Sequence, residues 1–264
     1  MKKLYINTGG FDAVFNDLKE SLNGELTADN NEYNLELKSK WTKGSIKGTR
    51  FDDKVLFMHF DIEFNHEVSL SIESFKSAPV FFVYCENGNV RHSFGSNGEK
   101  KILNKNQSAV LSNSSVINSV LYFESHKRIQ FTLLGMPTIE KKETELVSQV
   151  KQRFTNDSGN YIYVGKGNSK ISEKIQEYKT VPQTGVVGSL LKKSILKNIV
   201  EIEVEQHSFN YLKTFDPVVN IAKKQLSEIR KISTMNFSEL IAAARGFKTK
   251  YHLPFRSYNQ KLAS

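Results

Sequence analysis

The residues of this sequence most suited to chemistry are cationic side chains that cluster toward its C-terminal end. Residues 213–264 contain ten lysines and arginines and three acidic residues, a net charge of +7, although the whole chain carries only +9. Clustered cationic side chains bind phosphates because each neutralised phosphate releases condensed counterions. The charge therefore favours a polyanion-binding segment, and a solvated basic surface that binds nothing fits it equally well.

Two short helices are predicted to position these side chains. Apolar residues recur at helical spacing over residues 218–233, residues 234–236 interrupt the pattern, and Asn236 can cap a second helix over residues 237–251. A helix, a tight turn and a second, basic helix are typical of a helix-turn-helix unit. An ordinary helical hairpin with a solvated basic face is the alternative interpretation.

In a helix-turn-helix unit the second helix enters the major groove, where side chains reach base edges and lysines hold phosphates. Arg245 is then the candidate for a base contact, with Ser238 and Glu239 beside it. The candidate phosphate contacts are Lys231, Lys248, Lys250 and Arg256.

The part of the chain that precedes these helices is predicted to begin as a β-rich half. Residues 11–23 (FDAVFNDLKESLN) place their apolar side chains on one helical stripe, and Gly24 ends that helix. Short strand-like runs follow, such as KVLFMHFDIEF and PVFFVYC, and turn signals at residues 86–89 and 95–98 separate them. Many short strands with frequent turns indicate a small β-barrel or sandwich. With the helices downstream, the predicted fold class is α+β.

A helical segment is predicted to connect the two halves over residues 141–212. It contains the helical run SKISEKIQEYK and a longer helix after Gly185, whose apolar residues recur at spacings of three and four. Such a stripe can simply pack on the core of its own chain.

Other kinds of chemistry find little support in the residues. Six histidines are scattered without a His-x-His pair; His59 and His66 could meet inside a barrel, but hydrogen-bonded structural histidines are favoured and no metal site is predicted. Residues 165–169 lack the spacing of a phosphate-binding loop and are predicted to form a turn before a helix. No catalytic residue and no cofactor site is nominated, so we expect that the chain is not an enzyme.

Composition points to a protein of the cytoplasm. The chain of 264 residues has no apolar run long enough to span a bilayer, and its first residues lack the features of a secretory signal. Its single cysteine, Cys85, lies in an apolar run and is predicted to be a buried thiol in a reducing compartment.

Several motifs, taken in order, resemble regulators of the AraC/XylS family. Residues 235–240 (MNFSEL), followed by residues 247–255 (FKTKYHLPF) and Tyr258, are similar to the first helix-turn-helix of that family. Residues 159–206 resemble the connector and dimerisation helix of AraC-type regulators from Bacteroidetes-like bacteria. The run PVFFVYCENGNVRHSF is similar to a strand pair of their sensor half.

The resemblance implies a three-part regulator: a cupin-like sensor domain over residues 1–140, a dimerising segment over 141–212, and a partial DNA-binding region over 213–264. It also implies a homodimer that binds double-stranded DNA sequence-specifically to regulate transcription and that can respond to a small-molecule effector. The implied dimer contacts are Leu190, Leu191, Ile195 and Ile199.

The sequence departs from the family pattern in three places. His252 replaces the family's glycine, the step from Leu240 to Phe247 is longer than usual, and the second helix-turn-helix is expected to be missing. Two rival hypotheses therefore stay open. One is a sensor or dimerisation module that modulates partner regulators without binding DNA, and the other is a small-molecule enzyme built on the β-barrel.

Overall fold

A computed structural model describes residues 1–6, 10–29, 31–51, 54–74, 79–113, 117–137, 160–182 and 185–215, together with positions 148, 150 and 154; from residue 208 onward the description is of backbone alone. The chain divides into two compact units, Met1–Glu205 and Gln206–Ser264. Nearly all described residues belong to the first unit.

Thirteen strands and three helices make up the described part of the chain. In chain order the strands are β1 Lys2–Ile6, β2 Glu25–Asp29, β3 Glu32–Lys38, β4 Thr42–Arg50, β5 Leu56–Phe64, β6 Val68–Ile72, β7 Val80–Asn87, β8 Val90–Phe94, β9 Lys101–Leu103, β10 Ser108–Ser112, β11 Ser119–Phe123, β12 Arg128–Met136 and β13 Tyr161–Val164. The helices are α1 Phe11–Leu22, α2 Ser169–Lys179 and α3 Gly185–Phe215.

The strands form two sheets. The smaller has the order β1-β6-β11-β8-β9, and the larger has the order β13-β10-β7-β12-β5-β4-β3-β2. The pair β1 and β6 is parallel, whereas all other pairs within the two sheets are antiparallel. The predicted β-rich N-terminal half is therefore confirmed, and the described residues are mostly β with few helices.

The two sheets enclose a core that we call the inner core, which includes Phe15, Phe60, Leu121, Phe131 and Leu133. Successive side chains of a strand point to opposite faces of its sheet, so alternate residues of β5, β7 and β12 enter this core. The rings of Phe60 and Phe131 stack with their centroids 4.4 Å apart. Phe15 is fully buried, which contributes roughly 2 kcal/mol of hydrophobic free energy.

Helix α1 closes part of the inner core with the stripe predicted from its sequence. Phe11, Phe15, Leu18 and Leu22 are all buried. A Cβ atom added at Gly48 of β4 would lie 2.5 Å from the Phe15 ring, so only glycine lets this ring approach the sheet. The helix ends at Leu22, and Asn23 adopts the left-handed conformation that ends many helices.

Helices α2 and α3 cover the opposite face of the larger sheet. A second core, which we call the outer core, lies between them and the sheet and includes Phe57, Phe82, Leu134, Ile171 and Leu196. Within the first unit, the larger sheet is thus a middle layer, with helices on one face and the smaller sheet on the other.

One local expectation needs correction. The run PVFFVYCENGNVRHSF resembles a strand pair, but β7 lies in the larger sheet and β8 in the smaller one. The chain crosses between the sheets at Gly88, whose φ of +76° favours glycine. The Cys85 thiol is fully buried, as predicted.

Candidate functional site

A cavity of about 590 Å³ lies within the inner core. Its walls come from both sheets and from α1, and apolar side chains such as Val14, Phe60, Leu121 and Leu133 line most of it. A mostly apolar cavity of this size with a few polar groups is the usual form of a small-molecule site.

One end of the cavity carries polar residues. Arg50 and Lys54, near the end of β4, and Glu73 and Ser74, which follow β6, line it there. Arg50 forms an ion pair with Asp12 across 3.7 Å. Because Lys54 is exposed, we take this end as the opening.

His92 is a buried polar residue in the wall of the cavity. It lies on β8 beside Leu121 of β11, lines the cavity, and is 5% exposed. Neither of its ring nitrogens has a hydrogen-bond partner among the described residues. Burial lowers the pKa of His92 to about 4, so the imidazole is neutral at pH 7.

A buried polar group without a partner costs free energy, because it has lost its bonds to water and gained none. Buried polar groups in folded proteins are therefore nearly always bonded to protein, water or a ligand. His92 thus offers one N–H donor and one nitrogen acceptor to whatever fills the cavity.

The opposite face of the larger sheet carries a second polar group, Glu86, with a different environment. Its Oε1 accepts a hydrogen bond from Thr132 at 3.1 Å and lies 3.3 Å from Nδ1 of His59. Its Oε2 accepts hydrogen bonds from Gln176 at 3.0 Å and from Lys179 at 2.6 Å, both on α2.

These bonds outweigh the cost of burying Glu86. Burial by itself would raise the pKa of the carboxyl, but the bonds from His59 and Lys179 lower that pKa to about 2. Glu86 therefore fastens α2 to the sheet as a carboxylate, and its bonding capacity is already used within the chain.

Glu203 of α3 is the other buried acidic group of this layer. It is 2% exposed and is hydrogen bonded to Ser108 of β10. Burial raises the pKa of Glu203 to about 7. The side chain contacts the sheet rather than a cavity of useful size, since the space around it has a volume of only about 10 Å³.

The residues nominated for DNA contact cannot be placed. Ser238, Glu239, Arg245, Lys248, Lys250, Lys231 and Arg256 all lie outside the described residues. Their roles therefore stay predictions.

The four nominated dimer contacts fall into two pairs. Leu190 and Leu191 are 63% and 42% exposed, near Val186 and Val187, which are exposed too. Ile195 and Ile199 are buried in the outer core of their own chain. The dimer stays a prediction, and only the first pair is available to a second copy.

The histidines and the glycine-rich turn have structural explanations. His59 faces α2 and Glu86 rather than the interior between the sheets, and His66 is exposed in a turn. In the part of the chain that is described, no group of three potential ligands could hold a metal ion. Residues 165–168 lead into α2, where the Asn168 side chain accepts a hydrogen bond from the Lys170 amide at 3.0 Å, so the helix predicted to follow this segment is confirmed.

Neither the cavity nor a role for His92 was predicted from the sequence. A signal was present, because His92 stands two residues from Val90 and two from Phe94, at the same phase of strand alternation. A polar residue at an inward position of a strand is the pattern to look for.

None of the described helices combines the length and the apolar character needed to cross a membrane.

No protein-family model matches the chain, and no curated protein matches its sequence. Among solved structures, the AraC-like transcriptional activator CuxR is similar over 70% of this chain, with 10% identity and a TM-score of 0.42. The chain spans 61% of the length of CuxR. A variant of apo ToxT from Vibrio cholerae is similar over 78% of each chain, with 12% identity and a TM-score of 0.43.

A cupin domain of an XRE family transcriptional regulator from Enterobacter cloacae is similar over 30% of this chain and 80% of its own, with 16% identity and a TM-score of 0.25. At TM-scores below 0.5, these similarities establish neither the fold nor the function of this chain.

Proposed function

We propose that this chain is a cytoplasmic DNA-binding transcription regulator of the AraC type, with a cupin-like sensor domain that answers to a small molecule. The observation that carries the proposal is the division of charge. Residues 213–264 carry a net +7 of the chain's +9, which leaves +2 for the other 212 residues. A cationic segment beside a nearly neutral domain with an apolar cavity suits a protein that binds DNA with one part and a ligand with the other.

In this proposal Arg245 reads a base edge and Lys248 holds a phosphate on the same helix. The exposed side chains at the start of α3, Leu190 and Leu191, form the contact between two copies. A dimer would present two DNA-binding helices to one site.

In this proposal, ligand binding in the cavity affects the helices on the other face of the larger sheet through the strands of that sheet. Phe81 and Leu133 line the cavity, and their strand neighbours Phe82 and Leu134 point the other way into the outer core. A shift of β7 or β12 on ligand binding therefore moves residues under α2 and α3.

The proposal is tested by titrating the full chain with labelled genomic duplex fragments at several salt concentrations. For the double variant Arg245→Ala/Lys248→Ala we expect at least about tenfold weaker binding and a salt slope reduced by about 1 for the lost phosphate contact. The matched control is Lys3→Ala/Lys43→Ala, which removes two exposed charges of the β domain and should leave both quantities unchanged.

An unchanged affinity and salt slope in the Arg245/Lys248 variant would exclude the assigned helix. If the wild-type chain binds no duplex fragment but captures a partner regulator, the chain is a sensor or dimerisation module that never touches DNA.

A further inference from the structure

We propose that the cavity in the inner core binds an apolar molecule with one uncharged hydroxyl group, and that this hydroxyl is bonded to His92. The inference deepens the proposed function by naming the class of ligand, and for its biological role it rests on that function.

The size of the cavity sets the size of the ligand. A water molecule occupies roughly 30 Å³ of liquid, so 590 Å³ corresponds to roughly 20 non-hydrogen atoms when completely filled. A ligand with roughly 10 to 20 non-hydrogen atoms fits this space.

The walls set its polarity. Most side chains that line the cavity are apolar; the polar ones besides His92 are Arg50, Lys54, Glu73, Ser74, Asn113 and Ser119. Apolar walls favour a hydrocarbon body, because polar atoms placed against them would lose their bonds to water.

His92 sets the chemistry of the one polar group. A neutral imidazole presents one donor and one acceptor, and neither is used within the described part of the chain. A hydroxyl can accept from the N–H or donate to the other nitrogen. A carboxylate can only accept, and its charge would be desolvated among apolar walls.

The cationic side chains at the opening are expected to bind a charged ligand only weakly. Arg50 is already paired with Asp12 and lies 3.5 Å from the Asn31 side-chain oxygen. Lys54 is exposed, so a carboxylate bound there would be only partly removed from water. A charged head at the opening is nevertheless a distinct result that the experiment can give.

The test compares three probes of one chain length by isothermal titration calorimetry at pH 8 without DNA: 1-decanol, decanoic acid and decane. We expect the wild-type chain to bind decanol about tenfold more tightly than either of the others, which is the effect of one hydrogen bond to a group otherwise left unpaired. His92→Leu should abolish the preference for decanol over decane while decane still binds.

Two further variants separate the role of His92 from a loss of structure. His92→Gln keeps a donor and an acceptor and should retain part of the preference for decanol. His66→Leu changes an exposed histidine of a turn and should leave all three affinities unchanged.

Equal affinities for decanol and decane in the wild-type chain would overturn the proposal, as would tightest binding of decanoate with no response to His92→Leu. The result is independent of DNA. A chain that binds decanol through His92 but no duplex fragment keeps this inference and loses the regulator proposal, whereas the reverse outcome does the opposite.

Discussion

The two faces of the larger sheet carry similar apolar residues but meet their neighbours differently. On the outer face, α2 and α3 pack closely around Leu196, where the remaining space has a volume of about 10 Å³. A more polar cleft of about 620 Å³, lined by Asp61, Lys179 and Lys192, lies beside this contact. On the inner face, the smaller sheet and α1 leave about 590 Å³. Protein interiors normally pack like organic crystals, so a mostly apolar cavity within a core is the exception.

Two buried polar residues, Glu86 on the outer face and His92 on the inner face, differ in how many hydrogen-bond partners they have. Glu86 on the outer face has partners for both carboxylate oxygens, two of them on α2. His92 on the inner wall has none among the described residues. A filled core with satisfied polar groups holds layers together, whereas an open core with an unsatisfied polar group is prepared for another molecule. We therefore expect Glu86 to hold layers together and His92 to take part in ligand binding.

The largest expected effect is on the free energy of unfolding, which should fall more when a leucine is shortened in the closely packed outer core than at the wall of the cavity. Leu196 of α3 is 1% exposed in the outer core, and Leu121 of β11 is 4% exposed at the wall of the cavity. We expect Leu196→Ala to lower the free energy of unfolding by about 4 kcal/mol and Leu121→Ala to lower it by about 2 kcal/mol. A side chain that faces a void has fewer contacts to lose.

Urea unfolding of the two variants beside the wild-type chain measures this difference. Equal losses of stability would mean that the cavity is closed in solution, and the comparison between the faces would fail with it.

The second expected effect is a pH-dependent change in stability caused by Glu203, a buried acidic residue of the outer core. Burial raises the pKa of Glu203 to about 7, above its ordinary value of 4.5. Between these two values the folded chain holds a proton that the unfolded chain has lost, so stability falls as pH rises through this window. Glu203→Gln should therefore be more stable than the wild-type chain by about 3 kcal/mol at pH 8 and by under about 1 kcal/mol at pH 5.

Denaturation midpoints at the two pH values test this expectation. Glu201→Gln, an exposed position two residues away on α3, serves as the control for the removal of one carboxylate from this helix. A stabilisation by Glu203→Gln that is the same at both pH values would show that Glu203 is ionised in the folded chain at pH 5.

Local sequence patterns were enough to predict much of the fold. The spacing of Phe11, Phe15, Leu18 and Leu22 predicts α1, because a helix places these positions on one face. The β-rich half follows in the same way from alternation and turn residues, which act over a few positions. The assignment of β7 and β8 to different sheets was not predicted, since both sheets accept the same alternating pattern.

The candidate site depends on contacts that local patterns do not contain. The bond from Lys179 to Glu86 joins residues 93 positions apart, and no spacing rule predicts it. The volume around His92 depends on how far apart two sheets lie, which is a property of the whole core. Alternation could have marked His92 as facing inward, but not as unpaired.

The smallest expected effect is a change in stability at His92 that should oppose the change in ligand binding. Burial lowers the pKa of His92 to about 4, below its ordinary value of 6.5. Between these values the unfolded chain binds a proton that the folded chain does not, so the contribution of His92 to stability decreases as pH falls from 6.5 toward 4.

We expect His92→Leu, without ligand, to be about 2 kcal/mol more stable than the wild-type chain at pH 5, beyond any difference at pH 7.5. Glu203 titrates in both proteins and cancels in this comparison, and His66→Leu is the control for replacing an exposed histidine. A variant that is no more stable at pH 5 than at pH 7.5, relative to the wild-type chain, would mean that water or protein already satisfies His92, and the inner face would then resemble the outer one.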